Sequence, residues 1–258
     1  MDFFGTPVWV VLLVCLGVFC ASFMDAIGGG GGIISVPCYL LAGFPVHFAL
    51  GTNKLSSCIG TVASTLRYIK NGCVDWGLGV PSVLLALLGA HIGTRLQLSV
   101  DEKYLKLLLL LVLPIIATIL LKKKSLPENK GAQNEWLRRG IVWGAALLIG
   151  TYDGFYGPGT GTFLLLLFCY LAKMDVRTAS GNVKLVNLSS NIGALATSLM
   201  AGKVLIPIGL LAAVFSIAGQ YIGAGLALKN GSKIVRPVIL IVLLLLSAKV
   251  IAELLGVI

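Results

Sequence analysis

Apolar residues fill most of the chain in eight long stretches, which short groups of polar residues, glycine or proline separate. Most stretches are about 18–25 residues long, which is the length a helix needs to cross a hydrocarbon core of about 30 Å. None shows the alternation over about ten residues that is typical of strands in a membrane barrel. The pattern therefore predicts an all-α polytopic membrane protein, whose helices satisfy their own backbone groups inside the bilayer.

The stretches fall into two groups of four, and the first stretch of each group is interrupted by glycines. A polar segment with six basic and two acidic residues, KKKSLPENKGAQNEWLRR, lies between the groups, and its positive charge predicts a cytoplasmic loop. We expect a first transmembrane repeat at 1–121, a connecting loop at 122–137 and a second repeat at 138–258. The predicted elements are 7–43, 48–69, 76–98 and 104–121, then 138–172, 178–201, 204–228 and 234–257.

Composition agrees with a membrane location. Hydrophobic residues make up 57% of the chain and charged residues 12%, whereas soluble domains carry about 25% charged residues. The net charge of +10 is therefore interpreted as membrane topology, and the expected partner is the lipid bilayer and not nucleic acid. The six cysteines form no C-x-x-C pair, so neither a metal cluster nor a disulfide framework is expected.

The two groups resemble each other in sequence. MDAIGGGGGIISVP aligns with YDGFYGPGTGTFLL and pairs Asp25 with Asp153. TNKLSSCIGT aligns with GNVKLVNLSSNIGA and pairs Lys54 with Lys184, with a three-residue insertion after the lysine. GAHIGTRL aligns with GQYIGAGL further along. Internal repeats that share an interrupted helix predict a secondary transporter whose substrate site lies where the breaks meet.

The glycine runs at 28–32 and 157–161 explain how such a site forms. Five glycines are a poor continuation of a helix, since each costs roughly 1 kcal/mol relative to alanine. Unwound backbone is tolerated at membrane depth only when it is buried in protein or lines a wet cavity. Helices that restart near Ile33 and Phe163 would direct free N–H groups at that cavity, and helix N-termini bind anions.

Four segments, GGGGGIISVP, ALGTNKLSSCIGT, YDGFYGPGTGTF and VKLVNLSSNIGAL, are similar to signature segments of the sulfite exporter TauE/SafE family. The similarity extends from about Val10 to Gly256. It implies a permease for sulfur-containing anions such as sulfite, sulfonates or sulfoacetate. It also implies a location in the cell membrane of a bacterium or archaeon.

Lys54 and Lys184 are the leading site candidates, because each lies early in an otherwise apolar helix. A charged residue within a membrane span is a functional candidate by default. Two ammonium groups that face two helix N-termini would form a cationic pocket for a small oxyanion. The alternative is that both lysines extend to an interface between bilayer and water.

Asp25 and Asp153 directly precede the breaks. They could pair with the lysines, cap the unwound backbone or relay protons, and direct contact with an anionic substrate is not expected. Lys184, Asn187 and Asn191 lie on one helix face as a polar stripe. The predicted substrate-binding set is Gly30, Gly31, Gly32, Ser35, Asn53, Lys54, Gly159, Thr160, Gly161, Thr162, Lys184 and Asn187.

Two other groups of residues receive structural interpretations. Arg67 and Tyr68 lie at the far end of their helix, where extension to the membrane interface would explain them. The G-x-x-x-G spacings at 89–93 and 219–223 predict close packing between helices.

A membrane-embedded enzyme is the rival class. The two histidines form no H-E-x-x-H motif, and the glycine run lacks the G-K-[ST] ending of a nucleotide-binding loop. We therefore expect no enzymatic activity, no metal and no cofactor. An anion channel stays open as an alternative, although paired broken helices favour alternating access. The inside-negative potential alone would drive anion export, so import would need coupling to protons or sodium.

Overall fold

The structure is a computed structural model that describes residues 2–3, 6–101, 134–231, 233–234 and 237–238. It is all-helical apart from two short antiparallel strands, β1 (Asp2–Phe3) and β2 (Thr6–Pro7). Eight helices have both ends within the described residues. They are α1 (Val8–Gly28), α2 (Gly32–Leu41), α3 (Val46–Lys70), α4 (Trp76–Ser99), α5 (Glu135–Phe155), α6 (Thr160–Tyr170), α7 (Val176–Met200) and α8 (Ile206–Asn230).

Two predicted segments lie largely outside the described residues. These are the fourth elements of each group, 104–121 and 234–257, together with most of the predicted loop 122–137. At the end of that loop the structure differs from the expectation. Helix α5 begins at Glu135, because the Asn134 side chain accepts a hydrogen bond from the Trp136 N–H, 3.0 Å away, and caps the helix.

Three of the described helices, α1, α4 and α8, are long and apolar enough to cross a membrane. Large apolar side chains cover the outside of the helix bundle: Leu84 is 66% exposed, Leu148 70% and Val214 61%. Polar side chains are concentrated instead in α3 and α7, where most of them are buried. Apolar side chains thus cover the outside of the bundle, while buried polar side chains in α3 and α7 accompany a hydrophobic core. The prediction of an all-α membrane protein is confirmed.

Helices α3 and α7 pack against each other in the middle of the bundle, and α4 and α8 each contact both a central and an outer helix. Helix α4 packs on α5 and α7, and α8 packs on α1 and α3. A Cβ atom added to Gly93 would lie 2.8 Å from the Phe155 nitrogen of α5, and one added to Gly219 would lie 2.9 Å from the Phe23 nitrogen of α1. The predicted close packing at both G-x-x-x-G spacings is therefore confirmed.

One detail of the sequence alignment is wrong. Helices α3 and α7 both contain 25 residues, and both are followed by a turn whose glycine, Gly72 or Gly202, has φ of 65°. The three-residue insertion that the alignment placed after the lysine has no counterpart in these lengths. Lys54 and Lys184 are therefore equally far from both ends of their helices, and the shared S-S motifs do not occupy equivalent positions.

Candidate functional site

Glycines with positive φ separate α1 from α2 and α5 from α6. At the first break φ is 78° at Gly29 and 84° at Gly30, and at the second it is 95° at Gly157 and 86° at Gly159. Residues with a Cβ atom rarely adopt this left-handed region, whereas glycine does so without steric cost. The chain therefore leaves the helical path at both positions and starts a new helix within a few residues.

The two breaks contact each other directly. A Cβ atom added to Gly161 would lie 2.8 Å from the Cα of Gly29, so neither position has room for a side chain. The Thr162 hydroxyl donates a hydrogen bond to the carbonyl of Gly28, at 2.9 Å. This bond satisfies one of the carbonyls that the end of α1 leaves without an intrahelical partner.

Two buried ion pairs flank the crossing. Lys54 Nζ lies 2.8 Å from Asp153 Oδ2, and Lys184 Nζ lies 2.6 Å from Asp25 Oδ2. The lysine side chains are 7% and 3% exposed, so neither extends to an interface. Each pair joins the central helix of one predicted half to the broken helix of the other. Because an unpaired charge in this interior would cost several kcal/mol, each lysine and its aspartate depend on one another.

Asp153 has neutral hydrogen-bond partners in addition to Lys54. The Thr160 hydroxyl donates to Oδ1 at 2.9 Å, and the Ser190 hydroxyl donates to Oδ2 at 2.6 Å. Lys54 also donates to Asn191 Oδ1, at 3.1 Å. The lysine thus connects the end of α5 with the polar face of α7.

The hydrogen-bond partners of Asp25 differ from those of Asp153. Gln220 Nε2 of α8 donates to its Oδ2 at 2.8 Å, and the Gly31 N–H makes a longer contact of 3.4 Å with Oδ1. The Lys184 ammonium donates both to this carboxylate and to the backbone carbonyl of Asp25. It therefore lies at the C-terminal end of α1, where the helix dipole is negative and favours a cation.

A cavity lies between the breaks and the ion pairs, and together with the open solvent at its mouth it has an empty volume of about 430 Å³. Most of the predicted site residues line it: Asp25, Gly30, Gly31, Gly32, Ser35, Asn53, Lys54, Asp153, Thr160, Gly161 and Asn187. Gly159, Thr162 and Lys184 do not line it. Gly159 has the left-handed backbone conformation that precedes α6. The Thr162 hydroxyl donates to the Gly28 carbonyl at the first break, and Lys184 forms an ion pair with Asp25.

The charged side chains that line the cavity are Lys54, Asp25 and Asp153, and only Lys184, which pairs with Asp25 outside the lining, brings their sum to zero. The two lysines and two aspartates sum to zero as ion pairs, so they do not form the cationic pocket expected from the lysines alone. Helices α2 and α6 both begin at this cavity, with Gly32 and Thr160 as their first residues. The N–H groups of Ile33 and Ile34 donate to the carbonyls of Gly30 and Gly31, and that of Thr160 donates to the carbonyl of Gly157. Each helix N-terminus still carries roughly half a positive charge. Among the described residues, the two helix ends are thus the source of positive potential at the cavity that no carboxylate pairs with.

Comparison with known proteins shows the family of the chain. The sequence model of the family described as "Sulfite exporter TauE/SafE" matches residues 14–250. The chain belongs to the sulfite exporter TauE/SafE family. No solved structure matches it.

Relatives in this family are named as transporters. The chain is 36% identical to "Probable membrane transporter protein ORF9" of a Sinorhizobium species, over 92% of this chain and 91% of that protein. A "Probable membrane transporter protein" of Haemophilus influenzae is 32% identical over 95% of both chains. "Probable membrane transporter protein YfcA" of Escherichia coli K12 is 33% identical over 90% of this chain and 86% of its own length. A general role in membrane transport follows from these comparisons.

Four residues that line the cavity were not predicted from the sequence: Ala21, Ser22, Ser57 and Gln220. Gln220 is the most important of them, because it donates to Asp25. The sequence carried a signal for it, since Gln220 is the one amide in the apolar middle of α8, whereas Asn230 lies at the end of that helix. The spacing of Gly219 and Gly223 instead indicated helix packing. Ser22 lies within the apolar run of α1, which gave no reason to assign it to the site. Its hydroxyl hydrogen-bonds the hydroxyl of Ser216 at 2.7 Å.

The expectation that Arg67 and Tyr68 extend to the membrane interface is wrong for Tyr68. Tyr68 is 1% exposed, and its hydroxyl donates to the carbonyl of Ala26 at 3.1 Å, next to the first break. Arg67 is held as well, because a terminal nitrogen of its guanidinium donates to the Tyr221 carbonyl at 2.8 Å, and Cζ lies 4.3 Å from the centre of the Tyr221 ring. Both residues tie the end of α3 to neighbouring helices.

Metal binding has no candidate among the described residues. They contain no group of three or more histidine, cysteine, aspartate or glutamate side chains that could hold an ion. His91 hydrogen-bonds Thr197 at 2.9 Å, and His47 contacts Gln97, so each histidine has a local polar partner.

Proposed function

We propose that this member of the TauE/SafE family is a secondary transporter for a small anion, namely a sulfur oxyanion or organosulfonate such as sulfite or sulfoacetate. The observation that carries the proposal is the buried polar cavity at the crossing of the two breaks, with two helix N-termini at its wall. The sulfur chemistry of the substrate is taken from the description of the family and not from the cavity.

We further propose that the chain consists of two repeated halves, 1–121 and 138–258, joined by the basic segment. The helix contacts support this organisation, because they recur when the halves are exchanged. Helix α4 packs on α5 as α8 packs on α1, and α3 packs on α8 as α7 packs on α4. Such exchange is typical of transporters whose halves rock around a central site.

In this mechanism the ion pairs prepare the cavity for an anion. Asp25 and Asp153 would repel an anion if they stood alone, but each carboxylate has an ammonium group and at least one further donor. We expect the substrate to interact with the partial positive charge at the N-termini of α2 and α6, where the N–H groups of Ile33, Ile34 and Thr160 already have backbone partners. Their partial charges sum to about one positive charge, which balances a monovalent anion such as hydrogen sulfite and half of the charge of a dianion such as sulfoacetate.

The membrane potential gives the proposed direction. Moving one charge through 100 mV changes the free energy by about 2.3 kcal/mol, and the inside-negative potential favours anion export. Import against this potential requires coupling to protons or sodium ions. Movement of the ion pairs between the halves would then switch access from one side to the other.

The test is transport by the purified chain in lipid vesicles with an imposed potential. Vesicles loaded with sulfite or sulfoacetate should release the anion in a saturable way, and an excess of anion on the far side should accelerate exchange. Lys54→Ala should reduce transport at least tenfold, while Lys229→Ala, at an exposed lysine in the last turn of α8, should leave it unchanged. Flux that does not saturate would indicate a channel, and the absence of flux for every small anion would overturn the proposal.

A further inference from the structure

The two central helices run in opposite directions. A Cβ atom added to Gly51, near the start of α3, would lie 3.2 Å from the Cβ of Ser198, near the end of α7. Further along α3, the Thr65 hydroxyl donates to the carbonyl of Lys184, in the first half of α7, at 3.3 Å. The residue numbers of the contacts therefore rise along α3 while they fall along α7. Since α3 and α7 occupy equivalent places in the two proposed halves, one half is inverted relative to the other.

Helix α1 begins at the same end of the bundle as α3. Val11 and Val14, near the start of α1, share an apolar cluster with Ala49, near the start of α3. Near the other end of both helices, the Tyr68 hydroxyl donates to the Ala26 carbonyl at 3.1 Å. The first broken helix and the central helix of its half therefore run side by side in the same direction.

Helix α5 begins at the opposite end, where α3 finishes. The short connection 71–75 leads from α3 to α4, and Asp75 forms an ion pair with Arg138 in the first turn of α5, with Nη2 3.3 Å from Oδ2. The two helices then run in the same direction, because the Thr94 hydroxyl, near the end of α4, donates to the Gly154 carbonyl, near the end of α5, at 3.0 Å. Helices α1 and α5 thus enter the bundle from opposite ends.

Basic side chains are concentrated at the end of the bundle where α5 begins, which we call the basic face. The start of α7 meets the end of α8 there, and Arg177 Nη2 donates to the Leu228 carbonyl at 2.9 Å. Among the described residues, eight lysines and arginines lie at this face: Arg67, Lys70, Arg138, Arg139, Lys173, Arg177, Lys229 and Lys233. The opposite face has two, Arg95 and Lys203.

This asymmetry distinguishes the two sides of the membrane. Cytoplasmic loops of membrane proteins carry the excess of lysine and arginine, and the cytoplasmic leaflet contains anionic lipids that attract basic residues. The segment 122–137, which leads into α5 at the basic face, contains four further lysines in its sequence. We infer that the basic face lies at the cytoplasmic leaflet and binds its anionic headgroups, and that the two halves cross the membrane in opposite orientations. Helix α1 then begins outside the cell, and α5 begins in the cytoplasm.

The inference goes beyond the proposed function, because neither the substrate nor its coupling enters it. It assigns each broken helix to one side of the membrane. Helix α2 returns along α1, since a Cβ atom added to Gly17 would lie 3.2 Å from the Cys38 Cβ. Helices α1 and α2 therefore form a hairpin that reaches the cavity from outside the cell, whereas α5 reaches the same cavity from the cytoplasm.

Two equivalent turn positions test the inference. Asn71 directly follows α3 and Ala201 directly follows α7, both are exposed, and each precedes a glycine with φ of 65°. Asn71→Cys and Ala201→Cys are produced separately in the full chain in bacterial spheroplasts. The spheroplasts are treated with a maleimide that carries a long polyethylene glycol chain and cannot cross the membrane. Neither substitution changes a charge, so the distribution of basic residues that determines the orientation is retained.

We expect Ala201→Cys to shift to higher mass on a gel when the spheroplasts are intact, and Asn71→Cys to shift only after they are lysed. The unmodified chain, with its native cysteines, is the control for background labelling. Asn230→Cys, at the exposed end of α8, should behave like Asn71→Cys and replaces it if that variant does not fold.

Equal labelling of both variants, whether in intact spheroplasts or only after lysis, would place the two turns on the same side and overturn the inverted arrangement. A shift of Asn71→Cys alone in intact spheroplasts would overturn the assignment of the basic face to the cytoplasm. Either result would leave the proposed anion transport intact. An absence of anion flux in the vesicle experiment would in turn leave the orientation intact, so the two proposals can fail separately.

Discussion

Lys54 and Asp153 form a buried ion pair, with Nζ 2.8 Å from Oδ2, although they belong to different predicted halves. The lysine lies inside the central helix α3, and the aspartate lies two residues before Phe155, the last residue of α5. The bond therefore fixes the broken helix of one half against the central helix of the other. The ion pair between Lys184 and Asp25 joins the central helix α7 to the end of α1 in the same way.

Removal of one partner should be far more harmful than removal of both. Lys54→Met leaves the Asp153 carboxylate buried without its counter-charge, and breaking such a pair costs about 3–5 kcal/mol. The double variant Lys54→Met/Asp153→Asn removes both charges and should recover most of this loss. The measurement is the thermal unfolding midpoint in detergent, with Lys229→Met as a control at an exposed lysine.

Additive effects would contradict this prediction. If the double variant is as unstable as the sum of Lys54→Met and Asp153→Asn, the two groups do not interact in the folded protein.

The crossing of the breaks should not tolerate even one additional carbon atom. In Gly29→Ala the new Cβ atom meets the backbone of Gly161 and Thr162, and the residue also has φ of 78°. We expect a loss of about 3 kcal/mol or more of folding free energy, since strain and overpacking add. Gly43→Ala is the matched control, because φ is 85° there but nothing lies within 4 Å of the added atom.

The control should lose only about 1–2 kcal/mol, the cost of left-handed backbone for a residue with a Cβ atom. Both variants can be compared by the fraction that elutes as a folded species from size-exclusion chromatography. An equal yield would mean that the contact between the breaks does not contribute to stability.

Packing between α4 and α5 should depend on the small residue at Gly93. Gly93→Ala places a carbon 2.8 Å from the Phe155 nitrogen and should weaken the packing by about 1–3 kcal/mol. Gly144→Ala lies on α5 with nothing within 4 Å of the added carbon, so it should stabilise that helix by up to about 1 kcal/mol. Opposite shifts of the unfolding midpoint are the expected result, and parallel shifts would argue against a close contact at Gly93.

Tyr68 should contribute through its hydroxyl and not only through its ring. Tyr68→Phe removes the bond to the Ala26 carbonyl and leaves that oxygen buried, which costs about 1–3 kcal/mol. Tyr221→Phe serves as the control, since Tyr221 is 56% exposed and exposed changes usually stay within about 0.5 kcal/mol. The difference between the two unfolding midpoints measures the buried bond, and identical midpoints would show that water replaces it.

The sequence predicts most of the described helices because length and hydropathy determine a membrane helix largely on their own. It also places most of the cavity-lining residues, since glycine runs and intramembrane charges are unusual in such helices. It does not predict which lysine meets which aspartate. Lys54 pairs with Asp153 and not with Asp25, and this choice depends on how α3 and α5 both pack on α7. The role of Gln220 depends in the same way on the contact between α8 and α1.

The Lys184 ammonium donates to the Asp25 carbonyl, so the cation at this helix end is part of the chain and not an ion taken from solution. A metal ion at the end of an interrupted helix binds and leaves with its concentration in solution. The charge on Lys184 is attached to the chain, and it is buried where dissolved ions screen little. The positive charge beside the Asp25 carbonyl is therefore present at this break at low and at high salt concentration alike.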